Sequence, residues 1–170
     1  LIEGTGPRIQ RIGPELDNVR ASVAWATGPG GDTEIAVALA GAAHLLWEAT
    51  GCNEEGDWLH RAVEATVDER VQPRLAARFW FAVSNLGFFT DLGRQSRAGL
   101  KAAELFRSLG DQYWLFRSLL SAAQKLSWAG DRVAAESALC ESKRLLDPAW
   151  PSCTRAFLEH GLGTFQYFTA

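Results

Sequence analysis

Apolar residues recur along this chain at intervals of three and four, and no stretch shows sustained alternation of apolar and polar positions. The first pattern is typical of amphipathic helices, whereas half-buried strands would require the second. The spacing predicts eight helices, over residues 8–27, 33–50, 53–67, 72–91, 94–109, 112–128, 132–146 and 150–169. The predicted fold class is therefore all-α.

Short turns separate the predicted helices. Gly110-Asp111 and Gly130-Asp131 each have the composition of a helix-ending glycine followed by the N-cap of the next helix. GPGGD at 28–32 predicts a flexible break, and DPAWP at 147–151 predicts a stiff one because proline cannot continue a helix. Helices of this length joined by so few residues must lie antiparallel to their neighbours, which predicts an array of helical hairpins.

The chain repeats itself with a period near 37 residues. Between residues 79–109 and 116–146, a shift of 37 positions superposes seven identical pairs: Phe79/Phe116, Ser84/Ser121, Gly93/Gly130, Ala98/Ala135, Glu104/Glu141, Arg107/Arg144 and Leu109/Leu146. This resembles the tetratricopeptide repeat, a helix–turn–helix unit of 34 residues or slightly more. In that repeat a glycine marks the turn and a small residue follows five positions later, as in Gly51/Gly56, Gly93/Ala98 and Gly130/Ala135.

The resemblance implies a right-handed α-α superhelix of three hairpins with a first helix and an unpaired last helix. We expect residues 1–170 to form a single helical-repeat domain, in which 1–31 are the first helix and linker and 32–170 are the repeats. The chain contains no Met, and it ends within an apolar pattern. These two features predict a fragment of a longer protein.

Composition narrows the functional classes. The net charge is −3, and seventeen Lys and Arg are scattered among twenty acidic residues, so direct nucleic-acid contact is not expected. Three cysteines do not form a disulfide framework and indicate a reducing compartment, which predicts a cytoplasmic location. No apolar run reaches the roughly 18 residues of a membrane span.

The stretch GCNEEGDWLHRAVE at 51–64 holds residue types that often carry chemistry. Cys52 and His60 lie about 12 Å apart along a helix, too far to share a zinc ion. His44 and Glu48 share a helix face but lack a third ligand. The stretch is therefore predicted to be the turn and second helix of a hairpin, with Gly56 at a close helix contact and no metal bound.

Catalysis is not expected either. Cys140 and Cys153 lie on or next to predicted helices, with His160 seven residues after Cys153, but a cysteine protease needs more than this, and no G-x-S-x-G elbow is present. Neither GTGPR at 4–8 nor GPGGD at 28–32 has the lysine of a phosphate-binding loop. The prediction is a non-enzyme without a cofactor.

Two segments resemble one particular family more closely. ELDNVRASVAWA at 15–26 and AVALAGAAHLLWEATGCNEEGDWLHRAVE at 36–64 are similar to the helical domain of large bacterial STAND-class ATPase transcriptional regulators, of the maltose-regulon activator type. The resemblance implies a sensor or protein-interaction domain whose repeats bind an inducer, a peptide or a partner protein and bias the ATPase. The alternative is a generic scaffold or oligomerisation domain of a non-transcriptional assembly.

The tetratricopeptide resemblance also places a concave groove on the first helix of each pair. The groove positions carried over are Trp80, Val83, Gly87, Thr90, Arg117, Leu120, Gln124, Ser127, Thr154, Phe157, Gly161 and Thr164. Their mixture of apolar, hydrogen-bonding and cationic groups favours a peptide, a partner protein or a small effector. Two alternatives remain open: these positions contact only solvent or a neighbouring repeat, or the apolar last helix (Phe157, Leu162, Phe165, Phe168) forms a homodimer.

Overall fold

The structure, a computed structural model, describes residues 5–86 and 91–169, except for the side chains of residues 5–14, 48 and 53. Within these ranges the chain forms eight helices and no strand. They are α1 (Thr5–Ala26), α2 (Thr33–Thr50), α3 (Asn53–Glu64), α4 (Pro73–Asn85), α5 (Leu92–Ser108), α6 (Gln112–Trp128), α7 (Arg132–Leu145) and α8 (Ser152–Thr169). The predicted all-α class is confirmed.

The two predicted Gly-Asp turns are confirmed, and each forms hydrogen bonds with free backbone groups of both helices that it joins. Gly110 and Gly130 adopt φ of +69° and +77°, the left-handed conformation that glycine takes without strain. The Asp111 N–H donates to Phe106 O at 3.0 Å, and the Asp131 N–H donates to the equivalent carbonyl of α6 at 2.9 Å. Each Asp side chain then accepts a backbone N–H of the next helix. One dipeptide thus closes one helix and opens the next.

The turn before α5 differs from the prediction. Gly93 was predicted to be a turn glycine, but it lies inside α5 and does not have a positive φ. The reason is Asp91, whose carboxylate accepts the Arg94 N–H at 2.8 Å and so starts the helix before Gly93. The N-caps Asp91 and Asp131 lie 40 residues apart, so the repeat at this boundary is longer than the 37 residues that the identities indicate.

The chain divides into two compact units, residues 1–88 and 89–170. In the first unit α2 is the central helix, and it packs against α1, α3 and α4. The core there contains Trp47, Val63, Phe79 and the fully buried His60. α2 thus contacts α3, its partner in the hairpin, and α4, the first helix of the following pair. This is the contact pattern of a helical repeat.

The second unit repeats this arrangement around α6, which packs against α5, α7 and α8. Phe106, Phe116, Leu139 and Leu158 are buried in its core. α6 again contacts its hairpin partner, α7, and the following first helix, α8. The same contact pattern in both units agrees with the predicted class of helical hairpin repeats. Of the helices described, none is sufficiently long and apolar to cross a lipid bilayer.

Candidate functional site

The stretch 51–64 is structural. Gly51 has a φ of +75° and ends α2. A Cβ added to Gly56 would lie 2.6 Å from Cγ of the buried Trp47, so only glycine fits at this crossing of α3 over α2. The predicted close contact at Gly56 is therefore confirmed, and residues 53–64 form the second helix of the hairpin.

His60 joins three helices of the first unit from a fully buried position. Its Nδ1 lies 2.7 Å from Gly56 O in α3, and its Nε2 lies 2.7 Å from Ala40 O in α2. Its ring stacks on Phe79 of α4 with 5.7 Å between centroids. Among the described side chains, no three His, Cys, Asp or Glu residues are grouped closely enough to hold a metal ion. These contacts give His60 a packing role.

The two sequence segments that resemble the regulator family meet in the first unit. Arg20 of α1 binds Glu55 of α3, with 2.6 Å between Nη2 and Oε2. Its Nη1 donates to Asp17 Oδ1, and the guanidinium lies 5.9 Å from the ring centroid of Trp47. The hydrogen bonds to Glu55 and Asp17 raise the pKa of Arg20 above its usual value. The Arg20–Glu55 ion pair thus links α1 to α3.

Six of the predicted groove residues lie in the core, which corrects their assignment to an accessible wall. Trp80, Val83, Leu120, Ser127 and Thr154 are at most 7% exposed, and Gly161 is buried as well. α4 is buried nearly all round, so no open face remains for Trp80 or Val83. Leu120 is covered by α8, because a Cβ on Gly161 would lie only 3.3 Å from its Cδ2.

The Ser127 hydroxyl donates to Ala123 O of the same helix at 2.8 Å. It therefore offers no group to a ligand. Gly87 and Thr90 lie outside the residues that the structure describes.

Three further predicted groove residues, Arg117, Gln124 and Phe157, come together between α6 and α8. The Arg117 guanidinium lies 4.0 Å from the ring centroid of Phe157. Gln124 Nε2 lies 3.0 Å from His160 Nε2. Both pairs cross from one helix to the other, and each has one half-buried and one exposed member. Arg117, Gln124 and Phe157 are therefore partly accessible and lie where α6 and α8 meet.

Aromatic rings extend this surface at both ends. Tyr113 accepts a hydrogen bond from Arg117 at 3.4 Å and meets Trp150 edge-on with 5.3 Å between centroids. At the other end, Trp128 and Phe168 lie 6.4 Å apart. We call this surface the α6–α8 face; it consists of Tyr113, Arg117, Gln124, Trp128, Trp150, Phe157, His160 and Phe168.

Sequence reasoning did not assign Tyr113, Trp128, Trp150 or His160 to this surface. The spacing of Tyr113, Arg117, Gln124 and Trp128 along α6 puts them on one side of the helix, and this stripe was visible in the sequence. Nothing in the sequence pairs Trp150 with Tyr113, because that contact depends on the path of the chain between α7 and α8.

The described part of the second unit also contains depressions. One of about 260 Å³ lies at the start of α8 and is lined by Asp147, Trp150, Thr154 and Arg155, among others. A shallower one of about 660 Å³ lies on α5, α6 and α7 beside the Arg107–Glu141 ion pair, whose nitrogen and oxygen are 2.8 Å apart.

Comparison with known proteins finds no family model, no curated protein and no solved structure that matches this chain. A function is therefore best argued from the chemistry of the α6–α8 face.

Proposed function

We propose that this chain is a non-catalytic helical-repeat module that binds a peptide segment of a partner protein on the α6–α8 face. The observation that carries the proposal is the Arg117–Phe157 pair, in which a guanidinium lies 4.0 Å from the centroid of an aromatic ring that is 40% exposed. A side chain held over a ring in this way loses less conformational entropy when it binds a partner.

The composition of the face favours a peptide. Tyr, Trp and Arg are the residue types that contribute most to protein–protein binding energy, and the face contains all three. Arg117 carries a guanidinium, the group that matches carboxylate geometry, and the Gln124–His160 pair adds polar groups beside it. The preferred segment therefore carries an acidic side chain beside an aromatic or aliphatic one. A phosphate backbone is a poorer match, since the chain as a whole carries a net charge of −3.

The finer proposal is a place in a cytoplasmic bacterial transcriptional regulator of the STAND ATPase class. The similarity of residues 15–26 and 36–64 to that family supports it. Arg20 lies in the first of these segments and Glu55 in the second, and their ion pair links the two segments. Peptide, partner or effector binding on the repeats would then bias a nucleotide-dependent switch located elsewhere in such a regulator, and this segment would touch no nucleic acid and hold no cofactor.

The test is a selection of random peptides displayed on phage against the folded protein, followed by fluorescence anisotropy with the selected peptides. We expect enrichment of Asp or Glu next to an apolar residue. Arg117→Ala and Phe157→Ala should each weaken binding by more than about tenfold, since both truncate central contacts.

Arg97→Ala is the matched control, because Arg97 is an exposed arginine of α5 away from the face. Equal losses for Arg97→Ala and Arg117→Ala, or selected peptides without acidic residues, would contradict the proposal.

A second candidate function is self-association through the end of α8. Tyr167 is 80% exposed and Phe168 is 47% exposed, and their rings meet with 4.9 Å between centroids. Light scattering during gel filtration separates the candidates. If the protein is a dimer and the double variant Tyr167→Asp with Phe168→Asp is a monomer, the scaffold role is supported. If the protein is a monomer at all concentrations, peptide binding is favoured.

A further inference from the structure

The depression at the start of α8 has the features of a small-anion site. Its volume is about 260 Å³, and it is bordered by the segment that joins α7 to α8 and by the first turn of α8. The depression shares Trp150 with the α6–α8 face, but Arg117, Gln124 and Phe157 are not among its lining residues.

The first turn of α8 presents unsatisfied backbone donors. The first N–H groups of an α-helix have no intrahelical acceptor, and they carry the positive end of the helix dipole. A side-chain oxygen usually caps them, but α8 begins after Pro151, which offers no such oxygen. The Thr154 N–H donates to Pro151 O at 2.8 Å, which leaves the Ser152 and Cys153 amides to be satisfied from outside the helix.

A second, independent observation points to a ligand. Thr154 lines the depression and is only 1% exposed, yet its hydroxyl oxygen is buried without a hydrogen-bond partner. A buried hydroxyl without a partner costs free energy, and most such groups in folded proteins are paired. Thr154 was also one of the groove positions predicted from the sequence.

The charges and the walls define the class of ligand. Arg155 adds a guanidinium to the lining, whereas the exposed Asp147 adds a carboxylate that disfavours a doubly charged anion. One oxygen of Asp147 already accepts the Ala149 N–H at 2.8 Å. Trp150 and Pro151 contribute apolar wall. We infer that this depression binds the carboxylate of a small monoanionic molecule with an apolar body, through the first-turn amides of α8, the Thr154 hydroxyl and Arg155.

The experiment is a titration of the ¹⁵N-labelled protein with sodium benzoate at constant ionic strength, followed by amide chemical shifts. The resonances of Ser152, Cys153 and Thr154 should shift with saturation. Benzamide, the uncharged analogue, and inorganic phosphate should leave them in place. Equal shifts with benzamide, or shifts confined to other helices, would overturn the inference.

Two variants test the donors. Arg155→Gln should weaken benzoate binding by about three- to tenfold, because it removes a charge-assisted hydrogen bond, and Arg97→Gln should not weaken it. Thr154→Val should weaken binding and also raise Tm by about 2–4 °C, because valine removes an unpaired buried hydroxyl at nearly constant volume.

A loss of stability in Thr154→Val would show that the hydroxyl already has a partner in the protein. Unchanged benzoate binding in both Arg155→Gln and Thr154→Val would contradict the proposed site. Neither result bears on peptide binding at the α6–α8 face, because that face has its own variants.

Discussion

Single residues set the closest contacts of the first unit. Gly56 lets α3 approach the ring of Trp47, and His60 one turn later places both ring nitrogens 2.7 Å from carbonyl oxygens of two helices. The sequence reasoning assigned Gly56 correctly, because a small residue five positions after a turn glycine is part of the repeat pattern. It did not foresee the partners of His60, since Ala40 O lies twenty residues away in sequence and becomes a neighbour only through tertiary packing.

Gly56→Ala should lower the free energy of unfolding by about 1–3 kcal/mol, because the added methyl overlaps the Trp47 ring. Chemical denaturation monitored by circular dichroism measures the change.

Gly93→Ala is the matched control, because Gly93 is an exposed helical glycine whose nearest neighbour is the flexible end of Arg97 at 3.3 Å. It should be neutral or stabilise the protein by about 0.4–1 kcal/mol. Destabilisation by Gly93→Ala equal to that of Gly56→Ala would contradict the assigned roles of the two glycines.

At the scale of elements, the caps explain why the helices could be predicted and the groove could not. Gly110-Asp111 and Gly130-Asp131 mark boundaries in the sequence itself, and the structure confirms both. The groove depended on a register taken from a 37-residue shift, whereas Asp91 and Asp131 lie 40 residues apart. The same register placed Trp80 and Val83 in the groove, but α4 is buried nearly all round, and the extent of burial of a helix depends on tertiary packing that the register does not describe.

Asp131→Ala should destabilise the protein by about 0.5–2 kcal/mol, because the Ala134 N–H loses its side-chain acceptor at 3.1 Å. Asp131→Ser, which keeps a capping oxygen, should recover most of the loss. Urea denaturation of the three proteins gives the comparison, and equal stability of the Ala and Ser variants would exclude a capping role.

The Arg20–Glu55 ion pair should hold α1 against α3. Glu55→Gln weakens this contact, so amide hydrogen exchange in α1 should become faster at low salt. The difference should shrink at high salt, because both side chains are more than a third exposed and are screened by ions. Asp57→Asn, which breaks the Arg61–Asp57 pair within α3, is the control and should leave α1 exchange unchanged.

At the scale of the whole molecule, the sequence predicted the helical-repeat class, because periodicity, short turns and caps all indicate it. The surface proposed for peptide binding was predicted only in part. Arg117, Gln124 and Phe157 lie where α6 and α8 meet, while Leu120 and Ser127 on the same helix are buried. Which residues of a first helix stay accessible depends on how closely the next helix approaches, and here Gly161 brings α8 within contact of Leu120.

The most direct test of the central claim is hydrogen exchange of the protein with and without a phage-selected peptide, analysed by mass spectrometry. Binding on the α6–α8 face predicts slower exchange in α6 and α8, with α5 and the first unit unchanged. Slower exchange confined to α5 and α7, or to residues 5–86, would contradict it.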